Sequence, residues 1–232
     1  MCSTMGLGGS SSHDASFGYW NSPGIEMVAT VFMALSGISF ARYFIVWRSR
    51  SGVSLIRDAE VRAYGFVLLV SILGLTWLLM AQGNFTDFFT TLRTAAFHVV
   101  SVATTTGYAS ADYALWPVFA PVWLMFLGSF VSCAGSTGGG IKMVRMVLLI
   151  KQARCELVRA LHPRVVNPII MGRAPIAAKV IASVMAYMLI YGATTIGLTM
   201  LMLISGLDIV TAFSAVVATV NNIGPGLGQV GP

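Results

Sequence analysis

Ala103-Thr104-Thr105-Thr106-Gly107-Tyr108 lies between two apolar segments, 88–102 and 118–132. The first is too short to cross a bilayer, which takes about 20 helical residues. A polar, Thr-rich run that ends in Gly between such segments suits the wall of a pore better than a packed core. Backbone carbonyls can line a path only if successive residues alternate their twist, and Gly takes positive φ without steric cost. Carbonyls arranged in this way can replace the hydration shell of a cation. Taken alone, Thr-Thr-Thr-Gly also fits an exposed loop; what lifts it is that the motif recurs.

The chain has 232 residues, 56% of them hydrophobic and 9% charged. Soluble domains carry roughly a quarter charged residues, so the composition predicts an integral membrane protein. The 24 Gly and 8 Pro suit helices broken at membrane depth. A net charge of +6 does not point to nucleic acid, because the basic residues gather in loops between spans. Cys2, Cys133 and Cys155 have no pairing or metal spacing.

Along the chain, residues 1–22 form a Gly/Ser-rich stretch whose default reading is an N-terminal tail, and a first span is expected over 23–47. A second span covers 63–80 and closes on Gln82-Gly83-Asn84. The helix over 118–132 is interrupted by Cys133-Ala134-Gly135-Ser136-Thr137-Gly138-Gly139-Gly140 before apolar character resumes at 141–150. Each interior Gly costs a helix about 1 kcal/mol relative to Ala, so this helix is expected to open. Irregular backbone at that depth survives only against protein or water. A third span is expected over 176–205, then a short apolar segment from Asp208 to Val220 leading into Asn221-Asn222-Ile223-Gly224-Pro225-Gly226.

Twelve of the 14 Lys and Arg fall in 48–62 and 142–179. The positive-inside bias makes that side cytoplasmic and points Asp14, Asp87 and Asp112 outward. The unit of span, short re-entrant helix, Gly-bearing loop and span appears in full once, between 63 and about 155, and in part on either side. Gly or Pro breaks at matching places of repeated units mark the site on which the units converge. Re-entrant helices aim their partly negative C-terminal ends at that site, which favours a cation.

Four motifs then resemble the TrkH family, the membrane subunits of Trk-type potassium uptake systems within the Trk/Ktr/HKT superfamily. They are Gly8-Gly9-Ser10-Ser11-Ser12-His13-Asp14-Ala15-Ser16, Thr104-Thr105-Thr106-Gly107-Tyr108, Ala134-Gly135-Ser136-Thr137-Gly138-Gly139-Gly140-Ile141-Lys142 and Asn222-Ile223-Gly224-Pro225-Gly226-Leu227-Gly228. Leu161-His162-Pro163 is similar too. The resemblance implies an all-α integral membrane fold of linked span–pore helix–filter loop–span units, with two to three of four units present. On it, residues 1–62 are the filter loop and second span of unit two plus a linker. Residues 63–175 are unit three, and residues 176–232 are the first span, pore helix and filter of unit four.

The filter implied is Gly6, Leu7, Gly8 and Gly9 with Thr105, Thr106, Gly107, Asn222, Ile223 and Gly224, holding potassium at Gly9, Thr106, Gly107, Ile223 and Gly224. Cys133 to Gly140 and Lys142 become a gating loop below it. Potassium is the transported ligand, with no covalent cofactor. The implied setting is a bacterial inner membrane, as a homodimer of a longer protein on a cytosolic nucleotide-binding TrkA-like subunit. Ser10 departs from the family, which usually has an aromatic residue there.

Rival chemistry fails on spacing. Gly135 to Gly140 has the outline of a phosphate loop, but Ile141 stands where Lys must follow. Gly224-x-Gly226 lacks the third Gly of a dinucleotide fingerprint, since Gln229 occupies it. His13, His98 and His162 lie in separate segments, and His98 is expected to be structural. The remaining alternative, a membrane-embedded hydrolase, needs ionisable residues converging at membrane depth, and the spans are nearly free of them.

Overall fold

The computed structural model describes residues 2–13, 16–83, 85, 87–162, 165, 168–171 and 174–231. Asp14, Ala15, Asn84, Pro163, Arg164 and Arg173, which figure in the sequence reading, lie outside them. The fold is helical: α1 (Cys2–Met5), α2 (Pro23–Ser36), α3 (Phe40–Ser49), α4 (Val53–Ile56), α5 (Ala59–Ala81), α6 (Phe88–Ala103), α7 (Phe119–Phe130) and α8 (Met143–Leu161). A two-residue antiparallel pair, β1 (Ile170–Met171) with β2 (Ala174–Pro175), leads to α9 (Ala178–Ile204) and α10 (Ile209–Val220).

α5 and α9, with 23 and 27 residues, are long and apolar enough to cross a membrane. At 1.5 Å per residue α5 spans about 34 Å. Its inward stripe is Tyr64, Leu68, Leu75 and Leu79, while Phe66, Leu69, Leu73 and Trp77 stay more than half exposed. A helix apolar on every side with a bare outer face is a lipid-facing one. α6 lies at the centre instead, with Phe97, Val99, Val102 and Ala103 fully buried. It is flanked by α2, α5 and α7. Arg93 pairs with the buried Glu26 at 3.0 Å, joining α6 to α2. Tyr64 Oη donates to the Ala34 carbonyl and Trp123 Nε1 to Ser71 Oγ, closing α5 onto its two neighbours.

Local chemistry starts the two long re-entrant helices. Asp87 caps α6 by accepting from the Thr90 amide at 2.8 Å, and Asp208 caps α10 from the Thr211 amide at 3.1 Å. The Thr90 hydrogen bonds hold the Asp87 carboxyl below the usual carboxylate range, and those of Thr211 do the same for Asp208.

Several boundaries differ from the sequence expectation. The span expected over 23–47 is two helices, α2 and α3, bent by 86° across 37–39. A Cβ at Gly37 would lie 2.5 Å from Tyr64 Oη and 2.9 Å from Thr104 Cγ2, so only Gly lets the neighbouring helices close in. The freed backbone is used: Cys133 N–H donates to Gly37 O, and Phe40 N–H to Gly135 O. The break expected at 133–140 is wider, running between Phe130 and Met143. The stretch whose default reading is a tail, and which the resemblance makes a filter loop, carries α1 and a turn of 3₁₀ helix at Ser16–Tyr19, whose Phe17 is buried against Tyr108 with ring centroids 4.5 Å apart.

Candidate functional site: three strands above a glycine loop

Three polar strands leave the C-terminal ends of α1, α6 and α10, and all three repeat one geometry. The amide of Gly8 donates to Ser3 O at 3.1 Å, that of Thr106 to Ser101 O at 2.8 Å and that of Ile223 to Ala218 O at 2.8 Å. Each bond spans five residues and pulls the chain tightly over its helix end. The residue before is left-handed in every case: Leu7 (φ 50), Thr105 (φ 61) and Asn222 (φ 57). The residue after is a positive-φ glycine: Gly9 (φ 60), Gly107 (φ 83) and Gly224 (φ 104). Gly8, Thr106 and Ile223, between them, have ordinary φ. Alternating twist turns successive peptide planes over, so that carbonyls line the strand.

The strands abut in sequence order. A Cβ on Gly9 would collide with the Thr106 carbonyl, and one on Gly107 with the Ile223 carbonyl. At Gly224 the corresponding position meets only Gly107 Cα, 3.9 Å away. Every filter residue named from the sequence therefore belongs to one of three matched, adjoining strands, with Gly6 at the turn entering the first.

Buried hydroxyls hold the strands from behind. Thr104 Oγ1 and Thr106 Oγ1 are paired at 2.8 Å, and Ser101 Oγ donates to Tyr108 O at 2.7 Å. Tyr108 Oη donates to Ser3 Oγ at 2.5 Å and reaches the Ser10 carbonyl at 3.4 Å. Tyr108 from the second strand thus supports the first, beside Ser10, where an aromatic residue was expected. Around the third strand, Ser214 Oγ accepts from the Leu227 amide at 2.9 Å. His98 is fully buried, with Nδ1 2.8 Å from Thr94 O and Nε2 3.0 Å from Ala111 O. It fastens the chain returning from the second strand, as a structural histidine should.

Beneath the strands runs the interrupted helix. Thr137 Oγ1 donates to Met5 O at 3.2 Å, at the end of α1. A Cβ on Gly138 would lie 2.8 Å from Thr104 O, at the end of α6. One on Gly139 would collide with Asn221 O, at the end of α10. Gly139 N–H itself donates to Thr105 Oγ1 at 2.7 Å. Three consecutive residues of the loop therefore close against all three helix ends, where the backbone carbonyls carry partial negative charge. Lys142 Nζ donates to Gly138 O, so a cation on the loop itself faces the same region. Ser132 Oγ donates to Gly139 O at 2.8 Å, and Ser136 Oγ to Cys133 O at 2.7 Å; Cys133 is buried. Gly135 and Gly140 are left-handed, with φ 76 and 80, where the loop turns.

The residue that sequence reasoning missed is Glu60. It is 9% exposed, and its Oε1 accepts from Ala134 N at 2.7 Å and from Val144 N at 3.2 Å. One carboxylate oxygen thus binds the start of the loop and the first turn of α8 to α5. In the sequence Glu60 sits among the loop charges beside Asp58, and nothing there separates it from a solvated residue. Asn221, quoted in the sequence only as the residue before the last motif, was not named as a site residue either. Its side-chain amide is tied to Val217 O at 2.8 Å and to Tyr191 Oη at 2.9 Å, joining α9 to the third strand.

A family model described as TrkH, a cation transport protein, matches residues 1–231. The Trk system potassium uptake protein TrkH of Salmonella typhimurium is 39% identical over 228 residues, covering 98% of this chain and 47% of that protein. The Trk system potassium uptake protein TrkG of Escherichia coli K12 is 34% identical, over 97% of this chain and 46% of that protein. The crystal structure of the potassium transporter TrkH from Vibrio parahaemolyticus superposes with a TM-score of 0.93 at 38% identity, covering 98% of this chain and 49% of that one. The chain thus spans about half the length of the relatives it matches. All three are named as transport proteins, not enzymes.

Proposed function

The chain belongs to the TrkH family of cation transport proteins, and from that premise we propose that it forms part of a potassium uptake pathway. Three strands of alternating twist, adjoining one another over a glycine loop, are the observation that carries this reading. In it, carbonyls at Gly9, Thr106, Gly107, Ile223 and Gly224 replace water around potassium. Gly6, Leu7, Gly8, Thr105 and Asn222 shape the strands. The loop Cys133 to Gly140, with Lys142, bars the path below and must move for an ion to pass. The cation is cargo, and no covalent cofactor enters the scheme.

Residues 1–62, 63–175 and 176–232 are assigned to the second, third and fourth pore units of a longer protein. That protein works as a homodimer in a bacterial inner membrane, against a cytosolic TrkA-like nucleotide-binding subunit. The Trk system names of the relatives support a multi-component assembly. A transport role is favoured over a hydrolase because carbonyls and Thr hydroxyls, not ionisable side chains, converge at the site. The test is potassium uptake by the full-length protein in a strain lacking its own uptake systems. Restored uptake at low external potassium supports the reading; expression at normal levels without uptake refutes it.

A further inference from the structure

We propose that a basic cleft beside the Glu60 anchor binds the headgroup phosphate of an anionic phospholipid. The cleft has a volume of about 400 Å³, and Arg42, Arg57, Arg62 and Lys151 line it together with Asp58 and Glu60. Its two carboxylates are already used. Asp58 pairs with Arg42 and caps α5 by accepting from the Glu60 and Val61 amides at 2.9 and 3.2 Å. Glu60 is engaged with Ala134 and Val144. Lys151 Nζ donates to Ile170 O at 2.7 Å. Arg57 and Arg62 are exposed, and their guanidinium groups have no ion pair or hydrogen bond among the described residues.

Two unpartnered guanidiniums lining one cleft repel each other, and an anion between them removes that cost. Guanidinium forks match phosphate oxygens in a bidentate manner. The surroundings favour a lipid phosphate over a free one. The cleft opens where the span Ala59–Ala81 begins, and Trp47, Val53 and Ile56 nearby in the chain are 78, 53 and 70% exposed. Exposed apolar and aromatic side chains interleaved with arginines are what the boundary between acyl chains and headgroups selects. Because Val144 and Glu60 line the cleft and also anchor the loop, a bound headgroup would sit directly beside the attachment of the gate. This last link rests on the gating role proposed above; binding does not, and binding is what the experiment reads.

Full-length protein purified in detergent is offered phosphatidylglycerol or phosphatidylcholine, and retained lipid is counted by native mass spectrometry. Phosphatidylglycerol should be retained in preference. R57Q and R62Q should each weaken that retention about threefold, and the double variant about tenfold. The single variants keep the test alive if the double one cannot be purified. R154Q, which removes an exposed charge on α8 outside the cleft, should match the parent, and millimolar inorganic phosphate should not displace the lipid. Equal retention of the two lipids overturns the proposal, as does retention untouched by R57Q and R62Q. An equal loss in R154Q would mean a diffuse basic surface, and displacement by inorganic phosphate a free-anion site; either also overturns it.

Discussion

Replacing Glu60 by Ala leaves the amides of Ala134 and Val144 without their acceptor. Each buried unpaired donor costs about 1–3 kcal/mol, and the cost falls on the loop position seen here, which is the closed one in the proposed gating. Glu60→Ala in the full-length protein should therefore raise basal potassium flux in proteoliposomes several-fold. Glu60→Gln, which keeps a carbonyl oxygen in the same place, should stay close to the parent. Equal leak in both variants would mean that charge, not the acceptor, holds the loop; no leak in either would remove Glu60 from the gate. At this scale the sequence was uneven. Gly9, Gly107 and Gly224 were legible because positive φ without a Cβ is a glycine property. Leu7 and Thr105 take the same left-handed conformation, at a cost of about 1–2 kcal/mol, and no local rule announces it. Only the shared five-residue bond and the packing around the strands enforce it.

Among the elements, the interrupted helix was visible from composition, since Gly138, Gly139 and Gly140 stand together. Its limits were not, because the carbonyls of Ser129 and Ser132 fold back to accept from the amides of Ile141 and Met143 across the break, and Glu60, from far off in the chain, accepts from Val144. The bend between α2 and α3 was missed for a related reason: a single Gly37 within an apolar run is tolerated by most helices, and the steric demand comes from Tyr64 and Thr104. The loop gives a direct prediction. Deleting Gly138 to Gly140 in the full-length protein withdraws the backbone packed under Thr104 and Asn221. Basal flux measured by potassium-dependent volume change in liposomes should rise well above the parent. Unchanged flux at normal expression would leave the segment as a connector.

For the whole molecule, the order of spans and re-entrant helices followed from apolar length and repeated Gly-bearing loops, and the matched strands carry that repeat into three dimensions. The concentration of Lys and Arg in 48–62 and 142–179 predicts the orientation. With those loops cytoplasmic, a cysteine introduced at Ser51 should resist an impermeant thiol reagent in whole cells, and one at Ser110 should react; the reverse pattern would invert the topology. In the proposed function the three strands form a potassium filter. Gly9 and Gly107 each face a carbonyl of the next strand too closely for a Cβ, so a side chain there must displace that oxygen. At Gly224 the strain comes from φ 104 itself. A loosened ring suits a smaller, partly hydrated ion almost as well as potassium. The decisive measurement is the potassium-to-sodium permeability ratio of G9S, G107S and G224S in the full-length protein, reconstituted beside the parent. The ratio should fall in all three while membrane insertion persists; a ratio unchanged in all three would contradict the account.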